Sequence, residues 1–181
     1  MPDLHDLARD VNRRCRLRGQ FTLRSGLTST EYFDKYLFES DPVLLRDVVE
    51  AMEALVPDDV DLLGGLELGG VPLATLLGQL TGLPVLFVRK EAKAYGTQRL
   101  AEGGDCDGRR VLLVEDVITT GGAVLDAARA LRSMNATVDT VLCAIDRRER
   151  DAGPLGPERI EVRSVLTRAL LDAADAGRGG G

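Results

Sequence analysis

The chain has 181 residues, enough for one domain with a full hydrophobic core. Hydrophobic residues make up 44% of the chain and charged residues 29%, which excludes the apolar-poor composition of a disordered protein. The formal net charge of −6 argues against binding nucleic acid through overall charge, so any anionic ligand must be held locally.

Cysteines and the N-terminus indicate the compartment. Cys15, Cys106 and Cys143 lie far apart and match neither a disulfide framework nor a zinc site. The N-terminus carries acids where a signal peptide needs a basic segment, and no eighteen apolar residues run together. We therefore expect a cytoplasmic protein that does not enter a membrane. The single histidine, His5, lies near the N-terminus, which argues against histidine-based catalysis.

The first elements are helices separated by a small β segment. Apolar residues recur at helical spacing over 4–15, which predicts an amphipathic helix. Short β segments are predicted over 21–24 and 31–34, with a glycine turn between them. Asp41 and Pro42 then form an N-cap and first-turn pair that begins a second helix.

Short apolar runs alternate with helical patterns in the rest of the chain. We predict strands over 62–66, 85–88, 111–114, 138–145 and 159–166, and helices over 72–80 and 122–132. Such alternation is typical of an α/β fold with a mostly parallel sheet and helices on both faces. Thr167 is predicted to cap a last short helix. We assign residues 1–175 to a single domain and 176–181 to a flexible tail.

The most informative stretch runs from Val111 to Val124. A predicted strand leads into Glu115 and Asp116, then into a threonine- and glycine-rich loop, then into a helix. Ligands of open α/β sheets bind beyond the carboxyl ends of the strands, and amides at a helix N-terminus favour a phosphate. Adjacent carboxylates suit paired hydroxyls. The stretch therefore predicts a ribose 5-phosphate site, although a structural strand-turn-helix is the plainer alternative.

This stretch resembles the phosphoribosyl diphosphate signature of the type I phosphoribosyltransferases. The chain from about Arg18 to about Arg147 resembles the orotate phosphoribosyltransferases among them. The resemblance implies a type I phosphoribosyltransferase-like fold with a hood over about 18–40, and transfer of ribose 5-phosphate from phosphoribosyl diphosphate to orotate in pyrimidine biosynthesis. It also implies Mg²⁺, held mainly through the substrate near the acid pair. The residues it assigns to the donor here are Glu115, Asp116, Val117, Ile118, Thr119, Thr120, Gly121, Gly122 and Ala123.

A cluster of cations follows the strand over 85–88. From its composition, a solvated charged face and a mobile lid over a diphosphate are equally good interpretations. The segment resembles the flexible loop of the orotate phosphoribosyltransferases, over about 89–104, which reaches the neighbouring subunit's diphosphate and so implies a homodimer. The resemblance gives catalytic roles to Lys93, Lys90 and Arg89 along with Asp116, and donor contacts to Arg89, Lys90, Lys93 and Tyr95. Arg99 belongs to the same cationic cluster and could also stabilise the leaving diphosphate.

A second glycine loop, Glu67 to Pro72, also ends a strand and begins a helix. Its amides can meet another anion, and close packing of the two glycines is the structural alternative. The loop resembles the family's diphosphate loop, which often contains a strained peptide bond. Gly69 is assigned to the donor, although many relatives carry a lysine there.

The resemblance assigns orotate to the hood and to the end of a later strand. A flat base would stack on Phe33 or Tyr32, although packing within a β ribbon explains both aromatic residues equally well. Arg147 matches the arginine that grips the carboxylate of orotate, a task suited to a guanidinium, whereas surface ion pairing is its plain alternative. Arg24 and Thr119 complete the predicted orotate contacts.

Two rival functions fit parts of the sequence. A phosphoribosyltransferase for another base would use the same phosphate loop, but Arg147 and the hood favour orotate. A non-catalytic ligand sensor or RNA-binding regulator on the same fold would need no lid, and the net charge of −6 weakens RNA binding. We therefore expect small-molecule substrates as partners, with neither nucleic acid nor a membrane.

Overall fold

The structure is a computed structural model that describes residues 3–22, 26–90, 100–148 and 153–176. Four residues with predicted site roles, Arg24, Lys93, Tyr95 and Arg99, lie outside these ranges.

Six helices and eight strands make up the described part of the chain. In order they are α1 (Leu4–Cys15), β1 (Arg16–Thr22), β2 (Thr28–Phe33), α2 (Tyr36–Glu39), α3 (Pro42–Glu53), β3 (Leu62–Leu66), α4 (Gly70–Thr81), β4 (Val85–Val88), β5 (Ala101–Glu102), β6 (Val111–Ile118), α5 (Gly122–Ser133), β7 (Thr140–Asp146), β8 (Glu161–Thr167) and α6 (Arg168–Ala176).

A six-stranded sheet carries the fold, in the order β5-β4-β3-β6-β7-β8. All neighbours are parallel except β4 and β5. Buried residues of α1, α3 and α4 pack on one face of the sheet, and those of α5 pack on the other. Because both faces are covered, β3 and the first part of β6 are buried throughout, as parallel strands require. The predicted fold class is confirmed.

The N-terminal β segments form a separate antiparallel pair, β1 and β2. This pair begins directly at the end of α1, five residues earlier than predicted, because Arg16 already pairs with Phe33. The Arg16 guanidinium binds Asp172 at 2.9 Å and Asp175 at 3.3 Å, both on α6. Asn12 donates to the Leu171 carbonyl at 2.5 Å. The C-terminal helix therefore ties the N-terminal segments to the sheet.

Further local features differ from the sequence prediction. The strand β6 continues to Ile118, four residues beyond its predicted end at 114, because β7 supplies partners for Glu115, Val117 and Ile118. The acid pair therefore lies within a strand and not in a loop. The short helix α2 was not predicted; its one turn is too brief to show helical periodicity. In the described part of the chain, no helix is long and apolar enough to cross a membrane.

Candidate active site

The phosphate loop lies between β6 and α5. It lines a small cavity of about 60 Å³. The lining residues are Glu115, Val117, Ile118, Thr119, Thr120, Gly121, Gly122, Ala123 and Val124. Gly121 adopts a φ of 86°, and an added Cβ would lie 2.9 Å from Leu155 Cγ. Both the backbone and the space therefore require glycine at this position.

The N-terminus of α5 is open to an anion. Its N-cap, Gly121, has no side chain to accept a hydrogen bond; among the described residues, the side chain of Thr120 accepts from Gly122 N over a long distance, 3.5 Å to Oγ1. A helix start leaves four N–H groups without helical partners, and its dipole favours negative charge. The loop therefore presents amides where a phosphate is favoured, as the sequence predicted.

Glu115 and Asp116 differ in their access to this cavity. Both are buried, but Glu115 is 8% exposed and lines the cavity, whereas Asp116 is 0% exposed and does not line it. The two carboxylates are held by backbone amides: Asp116 N donates to Glu115 Oε1 at 3.1 Å, and Val117 N donates to Asp116 Oδ1 at 2.5 Å. A ligand in the cavity meets Glu115 first.

Two residues that the sequence did not single out, Lys35 and Glu39, cover Asp116. Lys35 Nζ forms an ion pair with Asp116 Oδ2. Glu39 also bonds to Asp116, and burial followed by that contact raises the pKa of Glu39 to about 8. Burial and the Asp116 carboxylate likewise raise the pKa of Glu115 to about 9. Burial opposes the ionisation of Asp116, but hydrogen bonds from Glu115, Glu39 and Lys35 lower its pKa. Asp116 is thus the ionised member of the cluster.

We expect Glu39→Gln to stabilise the protein increasingly as the pH rises. Because the folded-state pKa of Glu39 is raised, the folded chain binds more protons than the unfolded chain between about pH 4.5 and 8. The wild type should therefore lose stability across that window, and glutamine, which still donates to Asp116, should not. By pH 8 the difference should reach on the order of 1 kcal/mol, or about 2–4 °C in melting temperature.

The measurement is thermal unfolding of both proteins from pH 5 to pH 9. Glu53→Gln, on the exposed surface of α3, controls for the removal of one carboxylate. A melting-temperature difference that stays constant with pH for Glu39→Gln would contradict the expectation.

The second glycine loop packs directly on the acid pair. A Cβ at Gly69 would overlap the Asp116 carboxylate and lie 2.8 Å from Glu39 Oε1, and a Cβ at Gly70 would overlap the Val114 carbonyl oxygen. The preceding peptide bond, Glu67-Leu68, is cis. Close approach of the loop to the end of β6 therefore explains both glycines, and the amides of the loop remain beside the acids.

Arg89 and Lys90 leave β4 close to this loop. Lys90 N donates to Glu67 Oε2 at 3.0 Å, and Arg89 N donates to the Leu100 carbonyl at 2.9 Å. Both line a cavity of about 520 Å³. Its lining residues are Leu66, Glu67, Val88, Arg89, Lys90, Leu100, Gly122, Ala123, Asp126, Ala127 and Ala130. The two cations therefore share a cavity with the start of α5.

The predicted orotate residues separate into two groups. The Tyr32 ring is exposed and packs on Phe21, with 5.6 Å between the ring centroids, as expected for aromatic packing within the β ribbon. The Phe33 ring instead lies under Arg147, whose Cζ is 5.3 Å from the ring centroid. The structure therefore brings Phe33 and Arg147 together but does not join Tyr32 to them.

Arg147 and its neighbour Arg148 have different partners. Arg148 binds Asp146 with two nitrogens, at 2.9 and 2.8 Å, so the surface ion pair that the sequence allowed involves Arg148. Within the described ranges the Arg147 guanidinium makes no ion pair, and burial with the nearby Arg168 and Arg16 lowers its pKa. The carboxylate of a ligand would offset the repulsion between Arg147 and these two arginines.

One feature of the sequence could have pointed to Lys35 as a site residue. The chain contains only three lysines, and the other two, Lys90 and Lys93, were both assigned to the site. Glu39 had no such signal, because an isolated glutamate in a polar segment does not stand out.

Comparisons with known proteins identify relatives across the whole fold. The family model of the phosphoribosyl transferase domain matches residues 43–160. An orotate phosphoribosyltransferase of a Nocardioides species is 64% identical over 168 residues, which cover 93% of this chain and 94% of that protein. Another, from Methanocella arvoryzae, is 41% identical over 153 residues, covering 84% and 87%.

Solved structures agree with these relatives. The crystal structure of the Mycobacterium tuberculosis orotate phosphoribosyltransferase in complex with 5-phospho-α-D-ribosyl 1-diphosphate matches with a TM-score of 0.78 at 32% identity. The match covers 94% of this chain and 99% of that chain. The resemblance inferred from the motifs is confirmed. The chain therefore belongs to the phosphoribosyltransferase family, with orotate phosphoribosyltransferases among its relatives.

Proposed function

We propose that the protein transfers ribose 5-phosphate from phosphoribosyl diphosphate to a ring nitrogen of orotate, giving orotidine 5′-phosphate and diphosphate. The observation that carries this proposal is the shared cavity of Glu115 and the open N-terminus of α5. A carboxyl group for sugar hydroxyls and amides for a phosphate meet there, in a chain whose relatives are named for this reaction.

Each end of the two substrates has a matching group. Amides of the loop Thr119–Ala123 would hold the 5-phosphate, and Glu115 and Asp116 would hold the ribose hydroxyls. Arg147, over the Phe33 ring, would bind the carboxylate of orotate. These contacts hold the acceptor nitrogen and the sugar carbon in fixed relation, which lowers the entropic part of the barrier.

The remaining charged residues of the site would stabilise charges that develop during the reaction. Negative charge grows on the leaving diphosphate, and positive charge grows on the sugar ring. Arg89 and Lys90 would stabilise the former, and the carboxylate of Asp116 would stabilise the latter. Lys93, from the same cationic segment, has the same proposed role and lies outside the described residues.

The cofactor proposed for this site is Mg²⁺. Glu115 and Asp116 supply only oxygen donors, which suits a hard cation that takes its remaining ligands from the substrate and water. In the described ranges, no group of three or more His, Cys, Asp or Glu residues is arranged to hold a metal. When bound, Mg²⁺ neutralises the negative charge of the diphosphate.

A direct assay tests the proposal. Purified protein, Mg²⁺ and phosphoribosyl diphosphate are mixed with orotate or with a purine base, and the release of diphosphate is followed. We expect turnover with orotate alone. Turnover with a purine only would favour the rival phosphoribosyltransferase, and no turnover with any base would favour a non-catalytic sensor.

We expect Arg147→Ala to raise the KM for orotate by about 10- to 100-fold, the size of one lost charged hydrogen bond. The KM for the sugar donor should change by less than about threefold. Steady-state kinetics with each substrate varied in turn measures both values.

Arg148→Ala is the matched control, since Arg148 binds Asp146 and has no assigned substrate contact. If Arg147→Ala raised the two KM values equally, Arg147 would not be the residue that binds the carboxylate of orotate.

The homodimer with a shared lid, and the cytoplasmic location, also belong to this proposal. The resemblance to the orotate phosphoribosyltransferases supports the dimer, and the three free, buried cysteines support the location. Sedimentation of the purified protein gives the oligomeric state directly.

A further inference from the structure

Lys35 stands between a buried carboxylate and the solvent. Its ammonium pairs with Asp116, whose side chain is 1% exposed, while the Lys35 side chain is 34% exposed. Lys35 follows β2 and forms the N-cap of α2, so the backbone of the hood places it over the end of β6. A sugar hydroxyl can reach Asp116 only after the ammonium has moved.

The charges around Lys35 favour such a movement when an anion arrives. Because the pKa values of Glu39 and Glu115 are raised, Asp116 is the ionised partner of the ammonium in this cluster. A diphosphate carries several negative charges, so at the same distance it attracts an ammonium more strongly than one carboxylate does. A lysine ammonium carries three donors on a flexible stem and can turn toward a phosphate oxygen.

The position of Lys35 selects one end of the donor. In ribofuranose, C1 is bonded to C2, and C4, which carries C5, is bonded to C3, so C1 and C5 lie on opposite sides of the C2–C3 diol. With the diol on the acids and the 5-phosphate on the loop over 119–123, the C1 substituent points away from that loop. Lys35 and Asp116 do not line the loop cavity: the Asp116 carboxylate lies against Gly69, in the other glycine loop, and the Lys35 ammonium pairs with that carboxylate. Lys35 is therefore at the C1 end, where the diphosphate is attached.

We propose that Lys35 binds the diphosphate of the donor: its ammonium pairs with Asp116 in the free protein and moves to the C1 diphosphate when the donor binds, uncovering Asp116 for a ribose hydroxyl. This inference rests on the proposed function and adds a donor-binding residue to it. It also supplies positive charge at the Gly69 loop, which offers only backbone amides beside Asp116.

Calorimetric titration of Lys35→Gln without any base tests the proposal. Glutamine keeps a hydrogen-bond donor for Asp116 and removes the charge. At fixed Mg²⁺, the affinity for phosphoribosyl diphosphate should fall by about 10- to 100-fold, and the affinity for ribose 5-phosphate, which lacks the diphosphate, by less than about threefold. Lys35→Arg should recover most of the loss. Arg14→Gln, which removes a surface cation 3.8 Å from Asp41, is the control and should change neither affinity.

Three outcomes overturn the proposal: unchanged affinity for phosphoribosyl diphosphate, tighter affinity, or equal losses for the two sugars. If the wild type binds phosphoribosyl diphosphate and Lys35→Gln shows one of these results, only the role of Lys35 is rejected. If the wild type does not bind phosphoribosyl diphosphate, the proposed function is rejected.

If Lys35→Gln does not fold, lysine-selective ¹⁵N NMR of the wild type tests whether Lys35 contacts the diphosphate. The spectrum is simple to assign because the chain has three lysines. The Nζ resonance that is missing in Lys35→Arg must shift with phosphoribosyl diphosphate, and further than it shifts with ribose 5-phosphate. A resonance that does not shift with the diphosphate overturns the proposal.

Discussion

Replacing Gly69 with alanine should lower kcat/KM for phosphoribosyl diphosphate by about 100-fold or more, because misplacing a positioned group by about 1 Å costs that much. The added methyl would overlap the Asp116 carboxylate. That carboxylate is the end of a side chain, so it can rotate away, but it would then leave both Lys35 and the Val117 amide. The fold should survive with a small loss of stability.

Steady-state kinetics and thermal unfolding, measured together, test this expectation. Gly156→Ala is the matched control, because an added Cβ there has no atom within 4 Å. Near-normal kcat/KM in Gly69→Ala would show that Asp116 need not keep its observed position. A variant that fails to fold would show that the site cannot absorb the methyl by side-chain rotation.

Asp116→Asn should also lower kcat/KM for the sugar donor by about 100-fold, since charged hydrogen bonds contribute more than neutral ones. The amide keeps the size of the carboxylate but loses its charge and half of its acceptor capacity. Lys35 would lose its counter-charge, and because its side chain is partly exposed it can turn to water. The loss should therefore appear in activity more than in melting temperature.

Kinetics with phosphoribosyl diphosphate varied at saturating orotate provides the measurement. Asp58→Asn, at an exposed position between α3 and β3, controls for the loss of one carboxylate. If Asp116→Asn kept the wild-type kcat/KM, Asp116 would have no role in binding the sugar.

The main elements of the fold could be predicted because their signals are local. The helix α1 has its predicted bounds, and Asp41 caps α3 by accepting from Val43 N and Leu44 N at 3.1 and 3.2 Å. Thr167 likewise accepts from Leu170 N at the start of α6. Where a boundary depended on a distant partner, prediction failed: β6 runs to Ile118 only because β7 pairs with it.

The candidate site divides in the same way. The phosphate loop could be predicted because a strand, hydroxyls, glycines and a helix start follow one another within fourteen residues, over 111–124. The cluster around Asp116 could not, since Lys35 and Glu39 come from a segment more than seventy residues earlier in the chain. The separate roles of Arg147 and Arg148 were also hidden, because adjacent arginines look alike until their neighbours are known.

The sequence alone determined the α/β class, the order of the main strands and helices, the phosphate loop and the family. Each of these depends on residue types at short spacing, where backbone geometry and hydrophobic periodicity act directly. Only the tertiary structure decided that Asp116 is covered by Lys35 and Glu39, that Gly69 is needed for space, and that Phe33 lies under Arg147. Those contacts join residues far apart in the chain, and they form only when packing of the helices and the hood against the sheet brings their side chains together.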